Sequence, residues 1–135
     1  MSLRYLLDTN ICIYIAKQRP PKLAERFANL AAGSVAMSLV TFGELRFGAE
    51  KSTRRDESLL TLGRLTELIP VLELNAAAGE AYGSLRAKLE KAGTPIGNND
   101  LWIAAQALSL GVTLVSNNTD EFKRVPELVL ENWAE

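Results

Sequence analysis

Apolar positions along this chain fall into two registers that alternate from one end to the other. Short runs rich in Val, Leu and Ile, at 4–7 (RYLL), 34–40 (SVAMSLV), 69–74 (IPVLEL), 112–116 (VTLVS) and 128–133 (LVLENW), are too brief for helices and read as strands. Between them lie longer stretches with helical spacing, at 10–17, 21–30, 42–51, 56–68, 76–91 and 99–110. In the longest, Tyr82, Leu85 and Leu89 form one stripe at i, i+3 and i+7, and Gly93 follows where a C-cap glycine belongs. Such alternation predicts an α/β fold, with helices covering a central, mainly parallel sheet of about four to five strands. No repeat, low-complexity tract or linker interrupts the pattern. The most polar stretch, EKSTRRDES at 50–58, predicts an exposed turn between two helices, and one layered domain over 1–135 is the simplest organisation.

Composition narrows the chemistry. A chain of 135 residues buries a core without disulfides or a structural metal. Its one cysteine, Cys12, excludes an internal disulfide and any multi-cysteine zinc site, and points to a reducing compartment and a small buried apolar role. The apolar start is cut by Asp8 too early for a signal-peptide core, and no run approaches membrane-spanning length, so the cytoplasm is the expected location. A formal net charge of -1 argues against a basic field over the whole protein, so any nucleic-acid contact needs a local patch. Histidine is absent. Without an imidazole there is no Ser-His or Cys-His nucleophile pair, which leaves carboxylates, a metal ion or both for any hydrolysis.

Ligands of open parallel sheets gather beyond the carboxyl ends of the strands, so the acids at those positions count most. Asp8 ends the first strand, Glu44 follows the second, and Asp100 opens a helix in PIGNNDLWIAA. Each has a structural explanation as well. Asp8 or Asn10 could cap the helix beginning near Ile11; Thr41 and Glu44 have the spacing of a capping box; Asn98, Asn99 or Asp100 could cap the next helix. Together, three acids from distant segments could converge on one cleft where their charges repel unless a cation lies among them. A hard divalent ion with oxygen ligands, magnesium or manganese, suits such a site.

The stretches LLDTNICIY, VTFGELRFGAEKS and PIGNNDLWIAAQALSLGVTLVSNNTDEFKRVPELVLENW together resemble the PIN-domain ribonucleases, most closely the VapC toxins of bacterial toxin-antitoxin pairs. The likeness runs in order over nearly the whole chain. It implies a PIN-like α/β/α sandwich and cleavage of RNA dependent on Mg2+ or Mn2+, with Asp8, Glu44 and Asp100 as catalytic metal ligands. Many PIN domains carry a fourth acid two residues after the Ser or Thr that closes the next strand; here those positions hold Ser116 and Asn118. An amide oxygen can bind a metal or its water but lacks the charge that favours a second cation, and Asp120 or Glu121 could substitute. Thr9, Ser116, Asn117 and Asn118 would orient carboxylates or water, although each could equally be a turn residue. The resemblance further implies a homodimer, a VapB-like antitoxin that blocks the cleft and carries the DNA-binding part, and a structured RNA substrate such as transfer RNA, cut in the anticodon loop.

Arg46, Lys51, Arg54, Arg55, Arg86 and Lys91 are the candidates for RNA phosphates, with a solvated charged face as the alternative. Trp102 and Trp133 could stack on bases, but their apolar surroundings favour core packing. Two rival readings remain. A haloacid-dehalogenase-like phosphatase needs a second aspartate two residues after the first, where this chain has Asn10. A non-catalytic α/β binding module would use all the acids as caps.

Overall fold

A computed structural model describes residues 2–135. The elements run β1 (Tyr5–Leu7), α1 (Thr9–Lys17), α2 (Pro21–Ala28), β2 (Val35–Ser38), α3 (Leu39–Glu50), α4 (Arg55–Leu68), β3 (Val71–Leu72), α5 (Ala76–Ala92), α6 (Asn98–Leu110), β4 (Thr113–Val115), α7 (Thr119–Phe122) and β5 (Leu130–Glu131). The strands form one sheet in the order β3-β2-β1-β4-β5, with every neighbouring pair parallel.

Strand pleating divides the core in two. Side chains alternate across a strand, so Tyr5 and Leu7 of β1 share one face with Val35, Met37 and Val115, where Ile11, Leu23, Leu62 and Leu65 cover them. Leu6 points the other way with Ala36 and Leu114, against Leu85, Leu89, Leu101 and Ala104. Helices α1, α2 and α4 thus cover one face and α5 and α6 the other, the expected α/β/α sandwich. Helix α3 contributes to both layers: Phe42 and Leu45 pack on the first cluster and Val40 on the second.

The first strand is central and its two neighbours lie far away in sequence. In register, Leu7 pairs with Met37 on one side and Val115 on the other, so Asp8, Ser38 and Ser116 emerge together at the carboxyl end of the sheet. Ligands gather at such a switch point. Trp133 is buried with its ring edge-on to Tyr5, as core packing predicts. Trp102 is only partly buried and stacks on Tyr82, with ring centroids 3.9 Å apart. Gly93 caps α5 at a φ of 73°, a left-handed conformation that favours glycine.

Two capping expectations, at α3 and α6, need correction, and at α1 the structure selects one of the two expected caps. Ser38, not Thr41, caps α3: its hydroxyl accepts from the Val40 amide at 3.1 Å, and Thr41 lies buried one turn inside the helix. The capping box therefore does not form. Asp8, not Asn10, caps α1, and Gly97 rather than Asn98, Asn99 or Asp100 precedes α6, without a side-chain cap. Among the described residues, no helix is long and apolar enough to cross a membrane.

Candidate active site

Asp8 is buried where β1 turns into α1, and its two oxygens have separate partners. Oδ1 accepts from the Ile11 amide at 3.1 Å and Oδ2 accepts a short hydrogen bond from the Ser116 hydroxyl. Burial pushes this carboxyl above the ordinary carboxylate range, the Ser116 and Ile11 hydrogen bonds oppose the rise, and the Glu44 charge adds to it. Ser116, fully buried at the end of β4, also accepts from the Asn118 amide at 2.9 Å. One hydroxyl thereby ties the loop after β4 to Asp8.

Glu44 projects from α3, and its Oε1 accepts a 2.6 Å hydrogen bond from the Thr9 hydroxyl. Thr9 thus positions this carboxylate, because Asp8 starts α1 and so sets where the next residue points. Asp100 lies in the first turn of α6. Its pKa is pushed up to about 7 by burial first, then by the charge and hydrogen bond of Glu121, with Asp8 and Glu44 adding to the rise. The three acids predicted from sequence therefore sense one another across segments far apart in the chain.

Glu121 is the acid that sequence reasoning left undecided. The short helix α7 turns it inward, where Oε1 accepts from the Gly97 amide at 2.6 Å and Oε2 from the Asn118 side-chain amide at 2.9 Å. Burial works to raise its pKa, but the Gly97 and Asn118 hydrogen bonds, that of Asp100 and the charge of Arg124 outweigh it, and the net shift is downward. Asp100 is thus pushed toward its protonated form and Glu121 toward its charged form. Asp120 is exposed. The readable signal was spacing: Glu121 stands three residues after Asn118, which places both on one side of any helix starting at Thr119.

Asn117 turns away from the acids. Its side-chain amide donates to the Tyr14 hydroxyl at 2.9 Å, and its Oδ1 accepts from Asn10 at 3.4 Å, fastening the loop after β4 to α1.

The arginines singled out for RNA lie on outer helix faces and already have partners. Arg46 and Arg55 both reach Glu50 at 2.7 Å, Arg54 reaches Glu57 at 3.4 Å, and Arg86 reaches Glu90 at 2.8 Å. Lys51 sits over the Phe47 ring at 4.7 Å, and Lys91 is exposed in the last turn of α5. A groove of about 620 Å³ leads from Thr9 and Glu44 between α1, α3 and α4 toward Arg54, lined by Leu45, Leu62 and Leu65.

Among the described residues, no three acids, histidines or cysteines stand close enough to form a finished metal cage. The donor set still fits a hard divalent cation. It consists of oxygens only, and burial together with the neighbouring acids pushes the Asp100 pKa up, a strain on the charged form that such an ion would offset.

The sequence model of the PIN domain matches residues 5–128. The chain is 43% identical over 132 residues to the tRNA(fMet)-specific endonuclease VapC of Shigella flexneri, covering 98% of this chain and 99% of that one. Its fold superimposes on a chain in the VapBC-1 structure from nontypeable Haemophilus influenzae with a TM-score of 0.90 at 42% identity, covering all of both chains. A chain in the DNA-bound VapBC of Salmonella typhimurium gives a TM-score of 0.91 at 38% identity, over 97% of this chain and 98% of that one. The match in sequence, fold and extent agrees with the resemblance carried by the acid motifs, and the chain belongs to the PIN-domain family, among its VapC members.

Proposed function

We propose that the chain is a divalent-metal-dependent endoribonuclease, the toxin of a VapBC-type toxin-antitoxin pair. The observation that carries this reading is the convergence of Asp8, Glu44, Asp100 and Glu121 at the carboxyl end of the sheet in a protein without histidine, where burial first and then the charges of the other acids push the Asp100 pKa up to about 7.

Asp8, Glu44 and Asp100 would hold Mg2+ or Mn2+, with Asn118 able to contribute through water. When bound, such an ion makes a coordinated water a better nucleophile and offsets charge on the phosphoryl oxygens. The chain's own residues prepare the site. Ser116 fixes the rotation of Asp8, and Thr9 fixes that of Glu44. Gly97 and Asn118 hold Glu121 beside Asp100, where a bound cation would favour the charged form of Asp100. Hydrolysis would leave a 5'-phosphate and a 3'-hydroxyl.

The substrate reading is a structured RNA, transfer RNA first. The Shigella relative named for tRNA(fMet) supports it, and an anticodon loop presents the unstacked nucleotides that a cleft of this kind can reach. A VapB-like antitoxin is the proposed partner, supported by relatives solved as VapBC complexes, one of them on DNA. DNA would be reached only through that partner. We further propose a homodimer acting in the cytoplasm. The phosphatase reading has less support, because Asn10 occupies the position its general acid requires and turns toward Asn117.

The test uses the purified protein free of antitoxin, incubated with total transfer RNA. Cleavage with Mg2+ or Mn2+, its loss with chelator, and its loss in folded Asp8→Asn are the expected results. Full cleavage by Asp8→Asn would remove Asp8 from the metal site.

A further inference from the structure

Four carboxylates around one cleft repel a polyanion, so a ribonuclease with a net charge of -1 needs a cation beside them. Arg46, Arg54, Arg55 and Arg86 are each occupied by a glutamate. Arg124 is different. It is exposed just after α7 and enters none of the ion pairs among the described residues. Its Nη1 donates to the Pro95 carbonyl at 2.9 Å, which leaves most of the guanidinium fork available.

Its position matters as much as its freedom. Arg124 lines an open cavity of about 480 Å³ together with Pro95, Gly97, Asn118, Asp120 and Glu121. Both Glu121 oxygens are occupied along this wall, by Gly97 and Asn118, and Glu121 adjoins Asp100. The cavity therefore opens directly beside the acids. A planar fork next to a polar trough matches a phosphodiester, whose oxygens take paired N–H donors.

We infer that Arg124 binds a backbone phosphate of the RNA neighbouring the one cleaved, so that the strand crosses the cavity between the start of α6 and α7. The inference rests on the ribonuclease reading above and adds to it a binding residue and a path for the strand. That path lies away from the arginines of α3 and α4, whereas Arg86 of α5, paired with Glu90, lines the neighbouring pocket beyond Pro95 and Ile96.

Arg124 also has a structural partner in Pro95, and the experiment has to separate the two roles. Gln keeps an N–H that can reach the Pro95 carbonyl but has no charge, whereas Lys keeps the charge. Cleavage of one transfer RNA at several salt concentrations gives KM, kcat and the salt dependence of each. For Arg124→Gln, KM should rise about tenfold with kcat retained. The slope of log affinity against log salt should become shallower by about 0.7, one single-strand phosphate. Arg124→Lys should restore most of the slope, and both variants should melt with the parent protein. Arg55→Gln and Arg86→Gln, whose guanidinium groups already pair with Glu50 and Glu90, should leave the slope unchanged. An unaltered KM and slope in Arg124→Gln overturns the inference, as does a loss of kcat or melting temperature in both Arg124 variants without a change in slope. A slope loss in Arg55→Gln or Arg86→Gln in place of Arg124→Gln also overturns it. Those outcomes leave the ribonuclease reading intact; parent protein that neither cuts nor binds RNA removes both.

Discussion

The two oxygens of Asp8 serve different elements, Oδ1 the Ile11 amide and Oδ2 the Ser116 hydroxyl. Capping and chemistry thus meet in one side chain. Asn keeps an oxygen for the Ile11 amide but has no charge to bury, so metal-free Asp8→Asn should melt at or above the parent temperature. Its RNA cleavage should fall by more than about 100-fold, the upper range for residues that merely orient a ligand. Asp8→Ala also loses the cap, worth about 1 kcal/mol, and should melt below Asp8→Asn. Melting in chelator, compared with initial cleavage rates, checks both parts; an Ala variant as stable as the Asn variant would show that the cap contributes nothing. Asp100 makes a prediction with a sign. In the folded metal-free protein it keeps its proton up to a pKa of about 7, against an ordinary value of 3.8. The folded state binds a proton that the unfolded chain has released, so this contribution is complete below the ordinary value and is lost as pH rises through about 7. Denaturant midpoints in chelator should therefore fall between about pH 4 and about pH 7, and Asp100→Asn should flatten the fall. An equal fall in the variant would assign the proton to another group.

Helix α7 is the element on which the site's fourth acid depends. It spans only Thr119–Phe122, and fully buried Phe122 pins it into the second core cluster. In Asn118→Asp a second carboxylate would face Glu121 where an amide now donates at 2.9 Å. That repulsion should lower the melting temperature of the metal-free protein, and a divalent ion should more than recover it, with tighter binding by calorimetry than in the parent. Unchanged affinity would remove position 118 from the metal's surroundings. The same element shows where sequence reading stops. The longer helices were legible because their apolar stripes persist over several turns, and α5 runs Ala76–Ala92 against an expected 76–91. Four residues make no such stripe, so α7 went unread and Glu121 could not be told from Asp120. At α3 the difficulty was ambiguity: Ser38 and Thr41 are both good cap residues, and packing decided for Ser38 by burying Thr41.

At the scale of the whole molecule, the sheet order makes the site out of distant segments. Because β2 and β4 flank β1, Asp8 is brought beside Ser116 across 108 positions of sequence, and Thr9 beside Glu44 across 35. The acids at strand ends and helix starts were readable singly, because parallel α/β folds gather ligands there. Their hydrogen-bond partners were not, because pairing across the sheet depends on strand order, which local pattern leaves open. One consequence belongs to the molecule as a unit. Carboxylates from β1, α3, α6 and α7 repel one another in the metal-free state, so a cation that binds among them ties together four segments that unfold with the domain. Stabilisation by a ligand of the folded state follows RT ln(1 + [L]/Kd), about 2.7 kcal/mol at a free concentration of roughly 100 Kd. For a chain of 135 residues, Mg2+ or Mn2+ should thus raise the melting temperature by several degrees, with saturation. Monovalent salt at matched ionic strength should not reproduce the effect, and Asp100→Asn should reduce it. Equal stabilisation by monovalent salt would mean that the acids are only being screened, and the metal site would then have to be abandoned.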